Sequence, residues 1–251
     1  MLKTRVIPTL LYKSVGLVKG KQFDSWRRVD TVLPAIKVYN MREVDELILL
    51  DIEATELGRD PDYEEIKGVS RECFVPLCVG GGIHNIEQVK QLLRVGADKV
   101  AINTAAYENI DLIKEVSQVF GSQCVVSSID CKKEGEEYIC FSHSGKINTN
   151  KRVQDWAKEV EKAGAGEILV TSISRDGEMK GYDLDLIKTV SESVAIPVIA
   201  SGGAGTYEDM YQAIQYGNAT AVAAASMYHF TEATPKEAKK YLKEKGVAVR
   251  L

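Results

Sequence analysis

Pro76-Leu77-Cys78-Val79-Gly80-Gly81-Gly82-Ile83 is nearly repeated as Pro197-Val198-Ile199-Ala200-Ser201-Gly202-Gly203-Ala204-Gly205. In each copy a proline opens a short apolar run, as it can at the first residue of a strand, and the run breaks into glycines ahead of a helical pattern. Glycines there let bare backbone N–H groups approach a ligand beside a helix start, which is how chains hold phosphate. A strand-to-helix turn with no ligand would look the same in a single copy, so the weight lies in the repetition.

The echo extends beyond the turns. Pro76 and Pro197 are 121 residues apart, Gly96 and Gly217 likewise, and Asp45-Glu46-Leu47-Ile48-Leu49-Leu50 is answered by Gly166-Glu167-Ile168-Leu169-Val170-Thr171 at the same offset. Apolar runs of strand length at 5–11, 46–52, 75–79, 99–103, 124–130, 167–171, 198–201 and 220–225 alternate with amphipathic helical stretches, the pattern of βα units around a parallel sheet. Asn85 caps one predicted helix before Gly96, and Thr206 with Asp209 opens another that ends near Gly217. The expected fold is α/β: a (β/α)8 TIM barrel forming one domain over 1–251, built from half-barrels of about 1–122 and 123–251. A polar insertion at 132–150 is expected to form a small hairpin at the barrel mouth.

The chain has 251 residues, 45% of them hydrophobic, enough for a large core. A net charge of −4 gives no basic footprint for nucleic acid, and small anions or proteins are the expected partners. Five cysteines, an odd number without zinc-like spacing, read as reduced packing residues. No apolar run approaches a membrane span of about 20 residues, and the N-terminal residues lead straight into a strand, so the protein is expected in the cytoplasm. No metal and no cofactor is expected; His84 and His229 read as packing or hydrogen-bonding residues, and His143 lies on the insertion.

In a barrel of this type chemistry belongs to the C-terminal ends of strands. Gly82 with Asn103 and Thr104, and Gly203 with Ala225 and Ser226, would make two anion sites facing each other, the match for a ligand with a phosphate at each end. Asp176 and Gly177 could close the second site, and Lys19 could reach over the first from a loop. Asp130 ends an otherwise apolar strand and should point into the mouth, where poor solvation would raise its pKa toward that of an acid/base catalyst. The equivalent place in the first half is Leu11, which transfers no proton. At the other end of the barrel, Arg5, Glu46, Lys99 and Glu167 stand at strand starts and would form a self-neutralising ring if they point inward, either a plug or a gate.

Across essentially the whole chain these motifs resemble the HisF family, the cyclase subunits of imidazole glycerol phosphate synthase. Val79-Gly80-Gly81-Gly82-Ile83, Gly96-Ala97-Asp98-Lys99-Val100, Phe120-Gly121-Ser122-Gln123, Gly164-Ala165-Gly166-Glu167-Ile168-Leu169, Arg175-Asp176-Gly177, Gly181-Tyr182-Asp183, Ile199-Ala200-Ser201-Gly202-Gly203-Ala204-Gly205 and Val249-Arg250-Leu251 carry the likeness. The resemblance implies a barrel that binds a bisphosphorylated substrate at its mouth and takes ammonia along its axis from a docked HisH-like glutaminase. It makes Arg5, Glu46, Lys99 and Glu167 the ammonia gate, and it pairs the aspartate matching Asp130 with a second aspartate where the family's first strand ends Cys-Leu-Asp. Here that strand ends Thr9-Leu10-Leu11. The next loop, Lys13-Ser14-Val15-Gly16-Leu17, departs as well, and Glu43-Val44-Asp45-Glu46-Leu47 and Glu72-Cys73-Phe74-Val75-Pro76-Leu77-Cys78 resemble HisF paralogues linked to acetamidino modification of bacterial surface sugars. The expectation drawn from Leu11 is such a paralogue, passing ammonia to a separate sugar amidotransferase with little or no cyclisation of its own; the alternative is a true cyclase of histidine biosynthesis.

Overall fold

The computed structural model describes residues 3–251. Among these residues twelve strands run in chain order: β1 (Arg5–Lys13), β2 (Gly16–Lys21), β3 (Asp24–Asp30), β4 (Leu47–Asp51), β5 (Leu77–Gly80), β6 (Lys99–Ile102), β7 (Val125–Glu134), β8 (Glu137–Ser142), β9 (Ile147–Arg152), β10 (Glu167–Ser172), β11 (Val198–Ser201) and β12 (Ala221–Ala224). Eight of them close on themselves in the order β1-β4-β5-β6-β7-β10-β11-β12, with β12 parallel to β1 through Arg5↔Ala221 to Pro8↔Ala224. This is a (β/α)8 TIM barrel.

The apolar side chains divide in two, because successive residues of a strand point to opposite faces. Outward-facing residues such as Val6, Leu10, Leu49, Val79, Val125 and Val170 pack under the helices as one large cluster. Ile7, Ile48, Cys78, Ala101, Val126, Leu169, Ile199, Ala221 and Ala223 form a smaller cluster inside the barrel. Strands buried on both faces read as near-continuous apolar runs, which is why the pattern was visible in the chain.

Helix starts follow the local chemistry. Asn85 and Thr206 each accept from the backbone N–H three residues on, and Gln88 and Asp209 bond back in return, making two capping boxes at equivalent places in the repeat. Gly96 ends the first of these helices in the left-handed region, at φ 113°.

Two expectations need correction. The first loop is not open coil: β2 and β3 form an antiparallel hairpin continuing from β1, through Tyr12↔Leu17 and Lys13↔Gly16. The insertion after Asp130 is a longer meander than one hairpin, since β7 runs on to Glu134 and pairs antiparallel with β8, which pairs with β9. Strand bounds otherwise shift by a few residues; β5 and β11 begin after Pro76 and Pro197, which have no N–H to give the ladder. All five cysteines are free thiols.

Candidate functional site

A cavity partly open to solvent occupies the C-terminal end of the barrel. Lys19, Gly82, Asn103, Thr104, Asp130, Asp176, Gly177, Gly203, Ala225 and Ser226 all line it. The two glycine turns sit over β5 and β11, and neither could carry a side chain. A Cβ on Gly82 (φ +71°) would lie 2.6 Å from the Arg59 carbonyl oxygen, and one on Gly203 (φ +112°) 2.3 Å from that of Gly181. Thr104 and Ser226 each open a five-residue helix, Thr104–Glu108 and Ser226–Phe230. Thr104 Oγ1 accepts the His143 N–H at 3.0 Å, which ties the insertion to this side of the mouth.

Asp130 is 8% exposed and accepts from Asn103 Nδ2 at 2.7 Å. Burial, with a smaller push from the charge of Asp176, raises its carboxyl to about 7, so it can gain or lose a proton near neutral pH. Lys19 is on β2 rather than a loop and is 4% exposed, not the solvated lysine an open loop would offer. Burial lowers its ammonium to about 8, against the pull of Asp176. The Asp176 carboxyl is in turn raised by desolvation, against Lys19 and the Gly177 N–H. Asp130, Asp176 and Lys19 are therefore electrostatically linked in one cavity. Leu11, 9% exposed, lines the same cavity on β1, four strands from β7 in either direction around the barrel.

Sequence reasoning missed the contribution of the first hairpin. Phe23 and Trp26 bring aromatic walls to the cavity, and Gly177 is glycine because the hairpin backbone crosses it, the Gly20 carbonyl oxygen lying 2.2 Å from where a Cβ would be. Gly16 and Gly20 were the only local signals of that hairpin, without the Asn-Gly or Asp-Gly pair that marks a tight turn.

At the opposite end Arg5, Glu46, Lys99 and Glu167 meet as a closed ring. Arg5 bonds Glu46 and both of its terminal nitrogens reach Glu167 Oε2 at 3.1 Å; Lys99 Nζ lies 3.0 Å from Glu46 and 3.0 Å from Glu167. Burial opposes the Arg5 charge, but the two carboxylates outweigh it and the pKa rises. Asp45, Asp98 and Gln123 stand beside these strand starts and are partly spent on the fold. Asp45 is buried, accepting from Val6 N and pairing with Lys239 at 3.3 Å; Asp98 accepts from Leu77 N, and Gln123 Nε2 donates to the Phe120 carbonyl.

His229 packs edge-on against Tyr39, and burial lowers its pKa to about 4. Among the described residues no cluster of three or more His, Cys, Asp or Glu could hold a metal ion, and no helix is long and apolar enough to cross a membrane.

Residues 5–234 match the family described as histidine biosynthesis protein. The chain is 46% identical over 251 residues to the imidazole glycerol phosphate synthase subunit HisF of Chloroherpeton thalassium, covering 100% of both chains. Proteins of the same name from Prosthecochloris aestuarii (47% over 251 residues) and Dictyoglomus thermophilum (48% over 252) are likewise matched over 100% of both chains.

Proposed function

The chain belongs to the histidine biosynthesis protein family, as a HisF-type barrel, and on that premise we propose that it is the cyclase-type subunit of a glutamine amidotransferase. Ammonia released by a docked HisH-like glutaminase enters at the four-charge ring and meets a bisphosphorylated ligand at the mouth. The observation that carries this reading is the alignment of the two constellations on one axis. The ring at the strand starts and the cavity around Asp130 lie at opposite ends of a barrel whose interior between them is apolar. The relatives' names support the cyclase over a paralogue of surface-sugar modification feeding a sugar amidotransferase. Leu11 favours a second reading, a barrel that still passes ammonia but cyclises poorly, since one of two expected carboxyl groups is apolar.

Asp130, with its pKa near 7, supplies the proton transfers. Gly82 with Asn103 and Thr104, and Gly177 and Gly203 with Ala225 and Ser226, hold the two phosphates, and Lys19 with Asp176 sets the charge between them. Crystals soaked in millimolar sulfate are expected to show an anion at each glycine turn. Clear density at neither turn would remove the bisphosphate reading.

The ring is the gate. Packed apolar side chains would close this end as stably, and around it Met41, Phe74 and Val119 are 75%, 80% and 61% exposed at the ends of segments leading into strands, an apolar rim suited to a protein partner. Lys99→Ala strips the ammonium that both carboxylates share. It is expected to uncouple glutamine hydrolysis from ammonia use when the barrel is mixed with a HisH-like glutaminase from its own organism, measured as ammonia released per product formed. Unchanged coupling, with only a lower melting temperature, would make the ring a plug.

A further inference from the structure

Ile7, Cys78, Val126 and Ile199 belong to the cluster inside the barrel. The residues two further along the same strands therefore also face the axis: Thr9 on β1, Gly80 on β5, Ser128 on β7 and Ser201 on β11. These are alternate strands of the barrel, and alternate strands furnish one interior layer. Thr9, Ser128 and Ser201 all line the foot of the mouth cavity. Apolar side chains lie below this layer, and Asp130, the next inward residue after Ser128, lies above it.

Thr9 does not behave as a packing residue. It is 7% exposed, and its Oγ1 is buried with no hydrogen-bond partner among the described residues. Leaving a buried hydroxyl unpaired is unfavourable, whereas valine would fill nearly the same space without a polar atom. A hydroxyl kept at the foot of a cavity, level with two more, points to a small hydrogen-bonding ligand.

We propose, on the ammonia-receiving reading above, that Thr9, Ser128 and Ser201 hold one molecule of neutral ammonia at the foot of the mouth, with Thr9 as a positioning residue. Three hydroxyl oxygens can accept the three N–H bonds of ammonia, because hydroxyl protons rotate out of the way. That arrangement leaves the lone pair directed up toward the ligand. Water has only two O–H bonds to give the same three acceptors. Ammonium is disfavoured by the apolar layer below, since an isolated charge there would lose its hydration. Leu11, the next inward residue on β1, lines the same cavity and offers no polar atom to the ammonia.

The test compares wild type with Thr9→Val. Melting temperatures are measured at alkaline pH and fixed ionic strength in ammonium chloride and in potassium chloride, a readout that needs no turnover. Wild type is expected to be stabilised by ammonium chloride over potassium chloride, and Thr9→Val is expected to lose that difference while melting no lower in potassium chloride. In steady-state assays with ammonium salts, Thr9→Val should raise KM for ammonia about tenfold, the value of one hydrogen bond, and leave KM for the bisphosphorylated ligand unchanged. An equal ammonium effect on both proteins, or none on either, overturns the ammonia site and leaves Thr9 an orphaned core hydroxyl. Absence of any wild-type turnover would instead count against the cyclase reading, with the melting comparison still deciding the site.

Discussion

Asp130→Asn is expected to lower turnover with ammonium salts by about 10²- to 10⁴-fold, the usual contribution of a positioned acid/base group, and at the same time to make the protein more stable above neutral pH. Both effects come from the same burial. The carboxyl group is 8% exposed and titrates at about 7 in the folded protein, against about 3.9 in an unfolded chain. Its folded pKa is raised, so its contribution to stability is fully present below about pH 4 and is lost as pH rises through 7. A difference of about three pKa units corresponds to about 4 kcal/mol, an upper bound because the charged form can relax toward solvent at the mouth. Asparagine keeps an oxygen for Asn103 Nδ2 and carries no charge. The variant should therefore melt higher than wild type at pH 8 and close to it near pH 4. An equal melting difference at both pH values would show that the Asp130 charge is already compensated, and wild-type turnover in Asp130→Asn would remove it from the chemistry.

Leu11→Asp is expected to raise turnover by about 10²- to 10⁴-fold and to cost stability. The side chain at 11 is on β1, across the barrel from β7, and lines the cavity that Asp130 lines. A carboxylate there would face Asp130 from the other side of a bound ligand, supplying the second proton-transfer group. It would also be a second charge in a poorly solvated site, so Asp130 should titrate higher still and the melting temperature should fall. Steady-state rates at saturating ammonium salt, for wild type, Leu11→Asp and Leu11→Asn, separate charge from polarity. Only the aspartate should accelerate the reaction. Wild-type rates already equal to those of Leu11→Asp would mean that another group has taken over the transfer, and Asp176, whose charge is felt by both Asp130 and Lys19, is the residue placed to do so.

Much of this was legible in the chain because it depends on local pattern. The barrel follows from eight apolar runs separated by helices, and the 121-residue echo marks equivalent turns in each half. Asn85 and Thr206 announce their helices, since a cap and the residue three positions on are enough to build the box. The placement of Asp130 at a strand end, and of the four ring residues at strand starts, follows from the same periodicity.

Whether charges at strand starts meet is a different matter. Arg5 and Glu167 are 162 positions apart, and only closure of β1 onto β12 and β7 onto β10 makes their side chains hydrogen-bond partners. The chain placed Lys19 in a loop because the residues around it lack tight-turn chemistry; pairing with β1 and β3 buries it and lowers its pKa. Asp45 stands beside a strand start, and only the packing of the helix Pro235–Glu244 brings Lys239 against it. Sequence by itself determined the order of elements, the repeat and which end of each strand carries the polar residues, because those are properties of neighbours along the backbone. Tertiary structure alone decided which polar groups share a cavity, which are neutralised, and that Thr9 is buried without a partner, because desolvation and charge pairing depend on distances through space.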